Sequence, residues 1–336
     1  MTRRRKSAPS LAAAQAALTS PSPQGRDFTR RCNALREAAE AQISAEAWST
    51  ILDLRAWASQ HPLFSTPDAP LRGLLRRWEE ALLSGAPLPL AASLVRDDVA
   101  TATCGPWDRL AARAPWAELR PLLRDDAAAW SVAEGRVLRG ESLGGRGPHS
   151  GMPLQLYRWE PSPALPHYTS SGMSWGDAGF SAEAHPLPLP PPISVLPHEP
   201  AWDAMLAPWS EWTYQLVKVE GTAEQALACL LGGTEALVGA CTWQEAIAVL
   251  MQMHGNPAPY TEGRGMVAAR RAVWRLFAAL ADTGWPVSGD ALEAAMNGWR
   301  WLRYDPGHAD ALSSVFLALA DPHRGLAWGV YAWVTD

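Results

Sequence analysis

Five of the seven residues from Pro186 to Pro192 are proline, and no other stretch restricts the fold so firmly. Proline lacks an amide N–H and its ring collides with the preceding helical turn, so no helix runs through such a segment. Upstream, Gly144-Gly145-Arg146-Gly147-Pro148 is equally unfit for a helix, because glycine and proline both punctuate regular structure. Residues 140–210 therefore read as a Pro/Gly-rich connector with short strands, one of them expected at 152–160. Within it, 187–196 is expected to be an extended polyproline-type connector or a docking segment for a partner. The connector divides a helical domain at 27–139 from a C-terminal α+β domain at 211–336, and 1–26 reads as a flexible tail or a loosely held helix.

The helical domain has its own punctuation. Helices are expected at 31–42, then from a cap at Ser44 through Trp48, Ile51, Leu52 and Trp57 to the stop at His61-Pro62, and then at 69–83 and 88–103. Shorter ones begin at Pro106-Trp107 and Pro115-Trp116, where a first-turn proline loses nothing by lacking its N–H. The Pro-Trp-x-x-Leu pattern recurs after nine residues, whereas a solenoid needs a period of roughly 30 to 45. The two copies are helix starts in one layer and not a repeat array. Asp97-Asp98 and Asp125-Asp126 read as solvated charges, since adjacent carboxylates on a helix point about 100° apart.

In the C-terminal domain, 212–220 alternates as a strand. Thr222 with Gln225, and Thr242 with Glu245, have the reciprocal spacing of a capping box and start helices through Leu231 and His254. Asp290 is expected to cap a helix through Met296. Residues 299–304 read as a strand with one wet face, 309–320 as a helix, and 326–334 as a strand apolar on both faces. The class expected is α+β, predominantly α: an N-terminal helical layer followed by a C-terminal helical domain with a small β-sheet.

One helix carries the chemistry of the chain. Beginning near Gly265, it places Met266, Val267, Val273, Trp274, Leu276, Phe277 and Leu280 on one side, with Arg264, Arg271 and Arg275 opposite. Arg270 projects between Phe277 and Trp274, inside the apolar stripe. A guanidinium stays charged and is expensive to bury alone, so it must snorkel, pair, stack on a ring or bind an anion. Gly263-Arg264-Gly265 ahead of a helix N-terminus lets main-chain N–H groups approach an anion. Gly263, Arg264, Gly265 and Arg270 are therefore the candidate ligand-binding residues, with Glu262 or Asp282 as acid/base groups if a reaction is run there.

Gly265, Arg270, Ala272, Trp274, Arg275 and Ala278-Ala279-Leu280, followed by Asp321-Pro322-x-Arg324, a strand and Thr335-Asp336, resemble the C-terminal signature of an uncharacterised bacterial family, domain of unknown function number 6183. The resemblance covers roughly the last hundred residues, with Ala268 where a tyrosine is expected. It implies bacterial origin and a largely helical fold, and it assigns no catalytic role.

Composition excludes several function classes. The net charge of −5 argues against a whole-surface nucleic-acid footprint. Lys6 and Lys218 are two of 29 basic residues, so the other 27 are arginine. The Arg3-Arg4-Arg5-Lys6 start lacks the apolar core of a secretory signal and no run reaches membrane-spanning length, so a cytoplasmic chain without membrane attachment is expected. His149, His167, His185 and His198 stand 18, 18 and 13 residues apart, too far for local metal-ligand spacing. No metal and no cofactor is expected. Cys32, Cys104, Cys229 and Cys241 form no Cys-x-x-Cys pair and read as reduced thiols, with Cys229 and Cys241 in the core. Eighteen tryptophans are expected mainly to fill core space.

From these patterns the leading expectation is a non-enzymatic protein-interaction or regulatory module, tryptophan-rich and mostly helical, with a protein partner. The alternative is an enzyme or sensor that binds a small anionic ligand near Arg264 and Arg270. A free Arg270 facing a pocket favours the second, and an Arg270 paired with a carboxylate disfavours it.

Overall fold

The computed structural model describes residues 11–19, 26–65, 69–96, 105–160, 167–169, 172–174, 183–207, 213–255, 264–306 and 313–334. Helices α1 (Leu11–Thr19), α2 (Arg26–Ser44), α3 (Trp48–Ser59), α4 (Pro62–Ser65), α5 (Arg72–Gly85), α6 (Leu88–Arg96), α7 (Pro106–Ala111), α8 (Trp116–Leu119) and α9 (Ala127–Val137) make the N-terminal layer. Their core gathers Leu35, Ile51, Leu54, Phe64, Trp78, Leu82 and Val132. Each such side chain contributes about 1.5–3 kcal/mol when removed from water. Leu18 of α1 is buried with them, so part of the expected tail is packed. Ser44 ends α2, donating its hydroxyl to the Glu40 carbonyl, and does not cap α3. Asp126 caps α9 by accepting the Ala129 amide, and Asp125 accepts the Trp130 indole N–H, so this pair organises a helix start and is not merely solvated. Asp97, Asp98 and Cys104 lie outside the described residues.

The first strands, β1 (His167–Thr169) and β2 (Gly172–Ser174), form a hairpin. A second, seven-stranded antiparallel sheet is built from β3 (His185–Pro188), β4 (Val195–Leu196), β5 (Thr213–Glu220), β6 (Glu235–Ala240), β7 (Arg300–Asp305), β8 (Ser313–Asp321) and β9 (Leu326–Val334). Its order is β3-β6-β7-β8-β9-β5-β4. The α+β class holds, with a larger sheet than the sequence implied. Helices α10 (Pro200–Leu206), α12 (Trp243–Gly255), α13 (Met266–Leu280) and α14 (Gly289–Met296) share a core with Trp301, Leu317, Trp328 and Val330 on one face. Helix α11 (Ala223–Leu231) covers Val219, Leu302, Ala318 and Ala327 on the other. Gly329 lies beneath α11, and a Cβ there would stand 3.2 Å from Leu230 and 3.3 Å from the Ala226 carbonyl.

Four local expectations are corrected. Residues 313–320, read as part of a helix, are strand β8, in register with β9 from Ser313 opposite Val334 to Asp321 opposite Leu326. Val315, Leu317 and Leu319 enter one core while Phe316, Ala318 and Ala320 enter the other, and a segment apolar on both faces has no strand periodicity to read. For the same reason β7 has no wet face: Trp301 points to one core, Leu302 and Tyr304 to the other. Residues 152–160 form no strand beyond a single bridge at Pro153, because carbonyls there accept from a side chain, as shown below. Ser288, not Asp290, caps α14 through the Ala291 amide.

The proline-rich segment is a strap. Its two ends, β3 and β4, are the opposite edges of the sheet. Between them the Leu189 amide donates to the Thr234 carbonyl at 2.8 Å. The Cys229 thiol both accepts from the Ile193 amide and donates to the Ile193 carbonyl, each at 3.2 Å. Seven steps from Pro188 to Val195 reach at most about 25 Å, while seven flat strands span about 29 Å. The sheet therefore curls around α11 for the strap to close. Prolines suit this place, since edge strands tolerate a missing N–H.

Candidate functional site

The elements around α13 bring the candidate residues together only in part. Gly263 and Glu262 lie outside the described residues. Arg264 is exposed, and its amide donates to the His254 carbonyl at 3.3 Å, while the Gly265 amide donates to Gly255 at 3.0 Å. These two bonds tie the entry of α13 to the end of α12. Gly265 has φ of 82°, a backbone that favours glycine, and a Cβ on it would fall 2.6 Å from the Gly105 Cα and 2.5 Å from Asp108 Oδ2. Two backbones meet there without side chains between them.

The helix N-terminus is already occupied, by a carboxyl group of the chain itself. The Asp108 carboxylate, buried on α7, accepts the Val267 amide at 3.2 Å on Oδ1. Free N–H groups and the helix dipole favour negative charge at this position. Burial nonetheless pushes the Asp108 carboxyl up to about 6, with the Val267 and Met266 amides and the Arg139 and Arg271 charges pulling the other way.

Arg270 is fully buried and engaged on each of its nitrogens. Its Nε donates to Glu160 Oε1 at 2.7 Å and its Nη2 to Glu160 Oε2 at 2.8 Å. Nη1 donates to the Pro153 carbonyl at 2.9 Å and Nη2 to the Gln155 carbonyl at 2.8 Å. The same Glu160 carboxylate accepts the Trp274 indole N–H at 2.8 Å and the Tyr157 amide at 3.0 Å. Main-chain groups of 152–160 that a strand ladder would have satisfied are thus taken by Arg270, which explains the irregular path of this segment. Arg270 also lies 5.6 Å from the Trp274 ring centroid, and Trp159 packs 5.0 Å from Trp274 and 4.9 Å from Trp243. Of the four ways open to a guanidinium in an apolar stripe, pairing with a carboxylate and contact with a ring are both present.

Arg271, placed on the polar face by the helical wheel, is also tied down. Its Nε donates to Glu134 Oε2 at 2.7 Å, and its Nη2 to Glu134 Oε1 at 2.9 Å and to the Ser131 hydroxyl at 2.8 Å. Glu134, wholly buried on α9, also accepts the Ser150 hydroxyl at 2.6 Å. Adjacent arginines on one helix therefore hold two buried carboxylates, one from the layer and one from the connector.

Arg264 faces solvent while Arg270 is enclosed, so their guanidinium groups do not converge on one open site. Asp282 is exposed beyond the far end of α13, about 22 Å from Gly265 along a 15-residue helix. It is separated from the other candidates. Asp108, Glu134 and Glu160 escape sequence reading, because none sits in a motif and each acts on residues more than 100 positions away. The only sequence signal was the demand for a counter-charge made by Arg270.

Other candidates behave as ordinary core and surface groups. His254 is buried, and since a carbonyl only accepts, its Nδ1 carries the proton shared with the Met205 carbonyl at 2.8 Å. Cys32, Cys229 and Cys241 are half-buried thiols. Among the described residues no three His, Cys, Asp or Glu side chains gather as a metal site, and no helix is long and apolar enough to cross a membrane. Comparison with protein-family models, with curated proteins and with solved structures finds no match to this chain.

Proposed function

We propose that the chain is a non-enzymatic protein-interaction or regulatory module of the bacterial cytoplasm, akin to the family of domain of unknown function number 6183. One observation carries the reading: the arginine motif of α13 is turned inward, with Arg270 satisfied by Glu160 and two carbonyls, and the helix N-terminus is occupied by Asp108. Such a centre holds elements together. The kinship rests on the same residues, since Gly265, Arg270 and Trp274 of the signature all contribute to this junction, and Asp321 pairs with Arg324 at 2.6 Å in the turn before β9.

The contact surfaces in this reading are the helical layer and the outer side of the strap. Pro186, Pro188, Pro191 and Pro192 are exposed while Leu189 is buried, and Val195 beside them is 55 % exposed. Rigid prolines next to an apolar side chain form a surface that a partner binds at low entropic cost.

Native mass spectrometry of the tagged full chain, recovered gently from a bacterial host, tests the reading. The expected result is a complex of fixed stoichiometry that dissociates in a Pro192→Asp, Val195→Asp variant. A bare chain overturns it. A small-molecule adduct lost on Arg264→Ala supports the anion-binding enzyme or sensor instead.

A further inference from the structure

Asp108 is the one fully buried carboxylate at the junction of α7 and α13 that is held by amides and not by a guanidinium. Glu134 and Glu160, its counterparts nearby, each have a two-pronged arginine. Asp108 accepts the Val267 amide, and among the described residues no ion pair within 4 Å holds it. The groups facing it are few. From α13 come the Met266 and Val267 amides and Arg271, which Glu134 already occupies. From the turn after α9 comes Arg139. On α7 itself, the neighbouring Arg109 pairs with Glu80 of α5 at 3.0 Å. From α12, the His254 and Gly255 carbonyls take the Arg264 and Gly265 amides. The Gly105–Gly265 contact closes the site against water, and only glycine fits on either side.

We propose that Asp108 is a proton-operated latch between the helical layer and α13: its carboxyl takes up a proton when the two are docked and releases it when they part. In the docked state the carboxylate is denied water, which disfavours the anion. When the junction opens, Asp108 returns to water and becomes an ordinary acid. The junction is therefore tightest in mild acid and loosens as pH rises through about 6. The upward push on the carboxyl described above agrees in direction. The latch does not depend on what the protein binds.

Hydrogen exchange at the Met266 and Val267 amides in the full chain, corrected for the intrinsic pH dependence of exchange, reads the opening constant directly. Linkage predicts that it rises about tenfold between pH 5 and pH 7 in the wild type. Asp108→Asn keeps an oxygen for the amides and cannot titrate, so its opening constant should lack that rise. His254 is common to both proteins and cancels in the comparison. A wild-type opening constant that is flat or falls with pH relative to the variant overturns the proposal, as does an equal rise in both. Should the variant fail to fold, carboxyl carbon resonance titration of wild-type Asp108 decides: a midpoint above that of ordinary aspartate supports the latch, and one at or below it overturns it.

Discussion

Arg270 and Glu160, 110 positions apart in the chain, form a two-pronged buried ion pair with Nε 2.7 Å from Oε1 and Nη2 2.8 Å from Oε2. The pair fixes the connector against α13, and it converts the most conspicuous charge in the sequence into a structural fastening. Two ions removed from water cost several kcal/mol each, so the fastening works only because the guanidinium also satisfies two carbonyls and the carboxylate an indole and an amide.

Removing one partner is therefore worse than removing both. Arg270→Ala should destabilise the fold by about 3–5 kcal/mol, since it leaves a buried carboxylate unpaired. Combining Arg270→Met with Glu160→Met should lose clearly less than the sum of the single changes. Denaturant unfolding of the four proteins checks this, and additive losses would show that the pair is not energetically coupled.

Two glycines, both with positive φ, should respond differently to alanine. Gly265→Ala meets both an unfavourable φ of 82° and atoms at 2.5 and 2.6 Å, and is expected to cost about 2–4 kcal/mol. Gly232→Ala, with φ of 64° and open space around it, should cost only the left-handed backbone term, about 1 kcal/mol. Thermal denaturation of both variants measures the difference.

Acid should destabilise the protein through His254. Burial lowers the pKa of its ring, with Arg264 adding to the shift and the Met205 carbonyl opposing it. A lowered folded value means that the unfolded chain binds the proton more readily. The contribution to stability is intact above about pH 6.5 and is lost as pH falls through the folded value. A His254→Gln variant should thus lose less melting temperature than the wild type between pH 7 and pH 5. An identical acid slope in the two proteins would remove His254 from the explanation. Asp108 acts in the opposite direction in both.

The Cys241 thiol should be slow to alkylate. Burial, and then the charge of Glu245, push it up to about 12, and the thiolate is the reactive form. Peptide mass spectrometry after iodoacetamide at pH 8 should find Cys241 mostly unmodified in the folded protein and fully modified in denaturant. Rapid labelling of the folded chain would contradict its enclosure beside β7.

Much of the local structure was legible in the sequence because it is decided locally. The capping boxes form as spaced: Thr222 exchanges hydrogen bonds with Gln225, and Thr242 with Glu245. Helix α13 begins at the glycine, and β9 is a strand covered on both faces as its run of tryptophan, tyrosine and valine implied. Helix signals also placed α5, α7 and α8. Strand β8 misled because Leu, Ala and Phe in succession satisfy a helix as well as a strand, and only pairing with β7 and β9 settles the matter. Strand β6 was not anticipated, being only six residues, Glu-Ala-Leu-Val-Gly-Ala, between two glycines and a capped helix.

The sequence by itself determined the helix starts, the break made by the prolines, and the need of Arg270 for a counter-charge, since capping geometry, backbone restriction and the cost of a buried ion act over a few residues. Only the tertiary structure decided that the counter-charge is Glu160, that Asp108 fills the helix N-terminus, and that the prolines strap the two edges of one sheet. Those outcomes depend on which distant segments packing brings within hydrogen-bonding distance, and no local period or spacing records that.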